Sequence, residues 1–116
     1  MDVSDINRQG AFWGALLGHE PGPPRSGGGW LTVGVLEGAV SLILQQVPEP
    51  KTVKNRVHLD FSVDNVDEAI ASIIKLGGRR ISKPREGGGV TMADPEGNEF
   101  CIGSFRRTKD GKRVSI

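Results

Sequence analysis

Cysteine occurs once in the 116 residues, tyrosine not at all and histidine only twice. One cysteine cannot close an intrachain disulfide, so a disulfide-stapled secreted fold is excluded and a reducing, cytoplasmic compartment is the simpler expectation. One cysteine and two histidines are also too few for a four-ligand zinc finger. No apolar run approaches the roughly 20 residues of a membrane helix, and no basic-then-apolar leader opens the chain. An excess of one charge is missing too. Fifteen Lys+Arg stand against fourteen Asp+Glu, for a formal net charge of +1. Such a balance lacks the one-sign field of a general nucleic-acid binder, so neither a membrane nor a nucleic-acid partner is expected. What remains is 36% hydrophobic and 25% charged, apolar enough for a core, and of a length for one domain.

Glycine is plentiful, with seventeen copies, and it is clustered. Gly27–Gly29 and Gly87–Gly89 are triplets, each preceded by a stretch rich in Pro and Arg. A Leu-Gly pair lies upstream of each, at Leu17-Gly18 and Leu76-Gly77. Each triplet is followed by an apolar run, a Glu-Gly turn (Glu37-Gly38 and Glu96-Gly97) and a second apolar run. Four landmarks recurring in one order at near-equal spacing indicate an internal repeat of about sixty residues. The triplets are not phosphate loops. No Lys-Ser/Thr pair follows them, and the expected strand beyond them offers no positive helix end.

The elements inside the repeat follow from period. Val66, Ala69, Ile70, Ile73 and Ile74 fall at helical spacing within Val66 to Leu76, with Asp64 or Asn65 as cap and Gly77-Gly78 as stop. Ile6 to Leu17 is the matching helix, capped by Asp5, lined by Phe12, Ala15 and Leu16 and ended by Gly18. His19 follows the stop and reads as solvated. Val57, Leu59, Phe61 and Val63 alternate with His58, Asp60 and Ser62, which predicts a strand with one apolar and one polar face. Trp30–Leu36, Val40–Val47, Val90–Ala93 and Phe100–Ser104 read as strands, and Arg79–Ser82 as a shorter one. Only Met1–Ser4 precede the first helix cap, so the opening strand of the first half is truncated. The predicted fold class is α+β, with two βαβββ modules forming curved mixed sheets around a cleft. The modules span about 1–47 and 55–105 of a domain at 1–105, and 106–116 form a basic tail.

Several segments carry a resemblance. Phe12-Trp13 is followed by Leu16-Leu17-Gly18, and Val47-Pro48-Glu49-Pro50-Lys51 joins the halves. Lys54-Asn55-Arg56-Val57-His58-Leu59-Asp60 opens the second half. Ala93-Asp94-Pro95-Glu96-Gly97-Asn98-Glu99-Phe100-Cys101 holds an Asp-Pro-Glu-Gly-Asn turn, in which Asp-Pro sets the entry and Gly supplies positive φ. Together, over about residues 2–105, the chain resembles the glyoxalase-like proteins of the vicinal oxygen chelate superfamily, which includes the glyoxalase, bleomycin-resistance and extradiol-dioxygenase groups. The resemblance implies that a divalent metal in the cleft is the cofactor to look for, with one ligand from the first strand of each module and one from the last.

On that pattern His58 matches the family's histidine. Its partner in the first module falls ahead of Met1. The terminal carboxylate comes seven residues after the turn aspartate, and seven after Asp94 stands Cys101. Glu99, two residues away on the same strand face, is the substitute ligand. The first-module equivalent falls near Leu42, which cannot ligate, and Gln45 and Gln46 are weak replacements. The metal candidates are therefore His58 and Glu99, an incomplete set for a site that needs three or four ligands. An unoxidised Cys101 also suits a small apolar position, and His58 a bond to a neighbour such as Asp60.

Of the aromatics, Phe12, Phe61 and Phe100 occupy core-pattern positions, and Trp30, heading a strand, suits stacking on a flat or cationic ligand. The ligand-binding candidates are His58, Asp60, Trp30, Glu99 and Cys101. Three functions compete. The first is a small-molecule binding protein that works without a catalytic metal. The second is a metal-dependent lyase, isomerase or dioxygenase. The third is a structural dimerisation module. A homodimer is expected in any case, because a truncated first strand exposes a sheet edge.

Overall fold

A computed structural model describes residues 1–25, 27–36, 40–84 and 89–104. The expected Glu37-Gly38 turn, Gly87 and Gly88 of the second triplet, and the tail at 106–116 lie outside the described residues. The chain divides into two compact units, Met1–Thr52 and Val53–Ile116.

In the first unit, β1 (Asp2–Val3) leads into α1 (Ile6–Leu17), followed by β2 (Trp30–Leu36) and β3 (Val40–Gln46). The second has β4 (Leu59–Ser62), α2 (Val66–Lys75), β5 (Arg79–Arg80), β6 (Val90–Ala93) and β7 (Glu99–Gly103). The sheets run β1-β3-β2 and β4-β7-β6-β5. In both, the first strand lies parallel to the last, and the two final strands pair antiparallel. The first unit's counterpart of β5 is residues 22–25. There the Gly22 amide donates to the Thr32 carbonyl (2.8 Å), and Arg25 bridges Trp30. Two βαβββ modules therefore follow one plan, as the repeated landmarks predict. The truncated strand exists as the two residues of β1.

Helix entry is set by single side chains. Asp5 accepts from the Arg8 amide and Asn65 from the Glu68 amide, each at 3.0 Å, the N-cap bond that satisfies an otherwise orphaned donor. Gln46 reinforces α1: its Oε1 accepts from the Ile6 amide (2.9 Å) and its Nε2 donates to the Ser4 carbonyl. This structural role accounts for a side chain weighed above as a ligand. Gly18 ends α1 at φ 74°, where a Cβ would be strained.

The buried face of α1 differs from the expected one. Ile6, Gln9, Gly10, Phe12, Trp13 and Gly14 are buried, while Ala15 is exposed. Gly10 and Gly14 are the reason. Without side chains they admit Leu31 and Pro21 against the helix, which rotates the contact face towards them. Trp13 is then a core residue, 1% exposed and edge-on to Phe12 at 5.3 Å. In the second module Phe61, Phe100, Ile102, Val90 and Met92 form one sheet face, with Phe61 and Phe100 edge-on at 6.1 Å. Ile73 is the one fully buried residue of α2 and Ile74 is 53% exposed, so that stripe is narrower than its period suggests.

Candidate functional site

The turn at 94–98 fixes the second module's register. Asp94 is fully buried. Its Oδ1 accepts from the Glu96 and Asn98 amides, and its Oδ2 from Asn98 Nδ2, all at 2.9 Å. The Asp94 amide donates to the Asn98 carbonyl, and Gly97 takes φ 88°. With 94 and 98 closing the turn, the strands pair Ala93 with Glu99 and Thr91 with Cys101. On the other side β7 pairs Cys101 with Asp60 and Gly103 with Ser62. Paired residues share a sheet face. Asp60, Ser62, Thr91, Glu99 and Cys101 thus lie on one face, opposite the phenylalanines.

Two of the predicted residues, Cys101 and His58, come together here, beside a threonine that was not among them. Cys101, a thiol outside any disulfide and 6% exposed, has Thr91 Oγ1 at 3.6 Å and His58 Nδ1 at 3.9 Å from its Sγ. His58 is exposed and precedes the strand, which begins at Leu59 and not at Val57 as alternation suggests. Val57 is 73% exposed, so the apolar face of β4 starts later than its sequence pattern. The ring's neighbour is Cys101, not the expected Asp60. Glu99 is held elsewhere: its Oε2 accepts from the Asn55 amide at 2.9 Å. This bond ties β7 to the approach to β4, three residues before His58. Thr91 is anchored in turn, its amide donating to Ser82 Oγ at 3.1 Å. Ser62 is 3% exposed, and its Oγ has no hydrogen-bond partner.

Trp30 belongs to the first module, where strand pairing sets it on a face with Thr32, Ile43 and Gln45, away from the Leu31 and Leu44 that pack under α1. Trp30 is 43% and Ile43 41% exposed, an accessible aromatic surface. A groove of about 540 Å³ runs along α1, lined by Gly10, Gly14, Gly18, His19, Glu20 and Pro21, and includes none of the predicted site residues. His19 is exposed, and its ring covers Gly34.

Thr91 and Ser82 escaped sequence reasoning. Stepping three residues outward from each end of the 94–98 turn pairs 91 with 101, so Thr91 was recoverable. Ser82 lies beyond the short β5, and no pattern marks it.

The fit to a divalent metal is poor. Among the described residues, no three His, Cys, Asp or Glu side chains gather closely enough to hold an ion. Glu99 is committed to a backbone amide, and Cys101 stands at the position for which the resemblance implies a carboxylate.

The two-module architecture is that of the glyoxalase/bleomycin resistance/dioxygenase group within the vicinal oxygen chelate superfamily. The model of the glyoxalase-like domain family matches residues 1–103, and the chain belongs to that family. No curated protein sequence matches the chain. Among solved structures it is similar to a glyoxalase/bleomycin resistance protein/dioxygenase family enzyme from Burkholderia phytofirmans PsJN. There the TM-score is 0.71 and the identity 20%, over 88% of this chain and 91% of that one. A glyoxalase/bleomycin resistance protein from Albidiferax ferrireducens T118 gives 0.64 and 24%, over 88% and 91%. The fosfomycin resistance protein FosX from Listeria monocytogenes, complexed with manganese(II) and 1S,2S-dihydroxypropylphosphonic acid, gives 0.71 and 21%, over 90% and 84%. Identities this low establish a shared fold and leave chemistry to the site.

Proposed function

We propose that the chain is a small-molecule binding protein of the glyoxalase-like family that works without a resident catalytic metal. One observation carries the reading. At the family's ligand positions the residues are Cys101 and His58, 3.9 Å apart, with Thr91 beside them and no third donor of metal-binding type among the described residues. A thiol, an imidazole and hydroxyls on one sheet face suit a neutral organic molecule with hydrogen-bonding groups better than a hard cation. Trp30 adds a half-exposed indole for planar ligands in the first module.

Two measurements test this together. Elemental analysis of the purified protein is expected to show far less than one metal per chain. A thermal-shift panel of aromatic cations and unsaturated carbonyl compounds is expected to yield a stabilising ligand whose effect is lost in His58→Ala or Trp30→Ala. Stoichiometric zinc, manganese, nickel or iron that disappears in His58→Ala would instead establish the metal-dependent enzyme.

We propose further that the protein is a homodimer. β1 pairs with Gln45 and Gln46 of the seven-residue β3 and the Met1 ammonium donates to the Ile43 carbonyl, which leaves the edge ahead of Ile43 open among the described residues. A monomer in sedimentation at high concentration removes this part of the reading.

A further inference from the structure

We propose that Cys101 and His58 form a nucleophilic pair that adds covalently to a soft carbon electrophile of the α,β-unsaturated carbonyl class. The inference rests on the reading of this face as the ligand site and names the chemistry of its substrate.

The thiol is not isolated. His58 Nδ1 lies 3.9 Å from Cys101 Sγ, placed to accept its proton, and Thr91 Oγ1 at 3.6 Å is placed to donate to the sulfur as charge develops there. Cys101 is nearly buried, and the imidazole beside it is exposed. Both partners are held from behind. The Thr91 amide is bonded to Ser82 Oγ, and the segment leading to His58 is pinned by the Asn55–Glu99 bond.

Ser62 supplies the independent observation. It is 3% exposed, its hydroxyl has no hydrogen-bond partner, and it shares the face of Cys101. An unsatisfied buried hydroxyl costs about 1–3 kcal/mol unless something bonds to it. Ser62 pairs with Gly103, two residues beyond Cys101 along β7, and so stands diagonally across the strands from Cys101 at about 7–8 Å. Sulfur bonded to the β-carbon of an unsaturated carbonyl lies about 4 Å from the carbonyl oxygen. A hydrogen bond of about 2.8 Å completes the span to the serine.

The step is a net addition of S–H across C=C. The thiol proton moves to His58 Nδ1 and Sγ bonds to the β-carbon. The π pair shifts towards the carbonyl, whose oxygen accepts from Ser62. His58 then returns the proton to the α-carbon. No oxidant or reductant takes part.

The test uses N-ethylmaleimide as the unsaturated carbonyl probe and iodoacetamide as a carbon electrophile without conjugate-addition chemistry, followed by intact-mass spectrometry. Cys101 is the chain's single cysteine, so one adduct is expected, absent in Cys101→Ser. Wild type should react with the maleimide faster than a free-cysteine peptide. His58→Ala and His58→Gln should both slow it by about tenfold or more. Ser62→Ala should slow the maleimide and leave iodoacetamide unchanged. His58 is exposed, so its variants are expected to retain the wild-type circular dichroism. A wild-type rate at or below the peptide's, or equal rates in wild type and both folded His58 variants, overturns the proposal. If no adduct forms yet a reversible ligand still stabilises Cys101→Ser, covalent chemistry falls and the binding reading stands. Loss of both refutes both.

Discussion

Replacing Asp94 by Ala tests whether one carboxylate sets the register that brings Thr91 to the thiol. The side chain is fully buried and satisfies three donors: the Glu96 amide, the Asn98 amide and Asn98 Nδ2. Alanine leaves all three without this acceptor, and Asn98 is itself only 7% exposed. A buried donor left unpaired costs about 1–3 kcal/mol, and partial rescue by water at Glu96 reduces one of the three, so about 4 kcal/mol is expected in total. For a chain of this size that lowers the melting temperature by roughly 12–20 °C. Asp94→Asn is the informative companion. It keeps one oxygen but points an amide nitrogen at Asn98 Nδ2, so it should lose about half as much. The assay is urea unfolding followed by far-ultraviolet circular dichroism, which reads the helices and strands of both units. If alanine costs under about 1 kcal/mol, the turn is held by its backbone and the argument from the carboxylate is wrong.

The glycines give a paired test. A Cβ at Gly78 would stand 2.6 Å from the Ala93 carbonyl oxygen and 2.7 Å from Ile73 Cγ2, so Gly78→Ala should destabilise by about 2–3 kcal/mol in thermal unfolding. At Gly34 the same methyl would stand 2.7 Å from His19 Cγ and 2.9 Å from its Cβ, atoms that side-chain rotation does not carry away, so Gly34→Ala should also destabilise, by about 1–3 kcal/mol. Asn65→Ala removes the α2 cap and should cost about 1 kcal/mol in the same assay. Glu99→Ala should leave the melting point within about 3 °C. It should nonetheless slow maleimide labelling by freeing the segment ahead of His58, with Glu99→Gln, still an acceptor, restoring most of the rate.

The fold was legible because its punctuation is chemical. Asp5 and Gly18 bracket α1 at the positions their residue types dictate, and Asp94 and Gly97 do the same for the hairpin of β6 and β7. Period alone did less well. It predicted a buried stripe through Ala15 and Leu16, while the two helical glycines turned the contact face towards Leu31 and Pro21. It also began β4 two residues early, because alternation at Val57 and His58 continues into a stretch that the Asn55–Glu99 bond holds outside the ladder. Periodicity reports which residues prefer burial. It is silent on which neighbours come near enough to bury them.

The same distinction separates the legible part of the site from the rest. His58 and Cys101 were picked out by the family resemblance, and the pairing of β4 with β7 brings the residue before Leu59 close to Cys101. What could not be read was the rank of their partners. Sequence parity put Asp60 and Ser62 with His58 on the polar face of one strand and Glu99 with Cys101 on one face of another, and of these only Ser62 was not a ligand candidate. Burial and bonding then divide them. Asp60 is exposed, Glu99 is committed to the Asn55 amide, and Ser62 is buried with its hydroxyl unmatched. A carboxylate occupied by a backbone donor braces the strand, whereas a buried hydroxyl without a partner keeps its bonding capacity for a ligand. On that contrast rests the proposal that this face serves the thiol and not a cation.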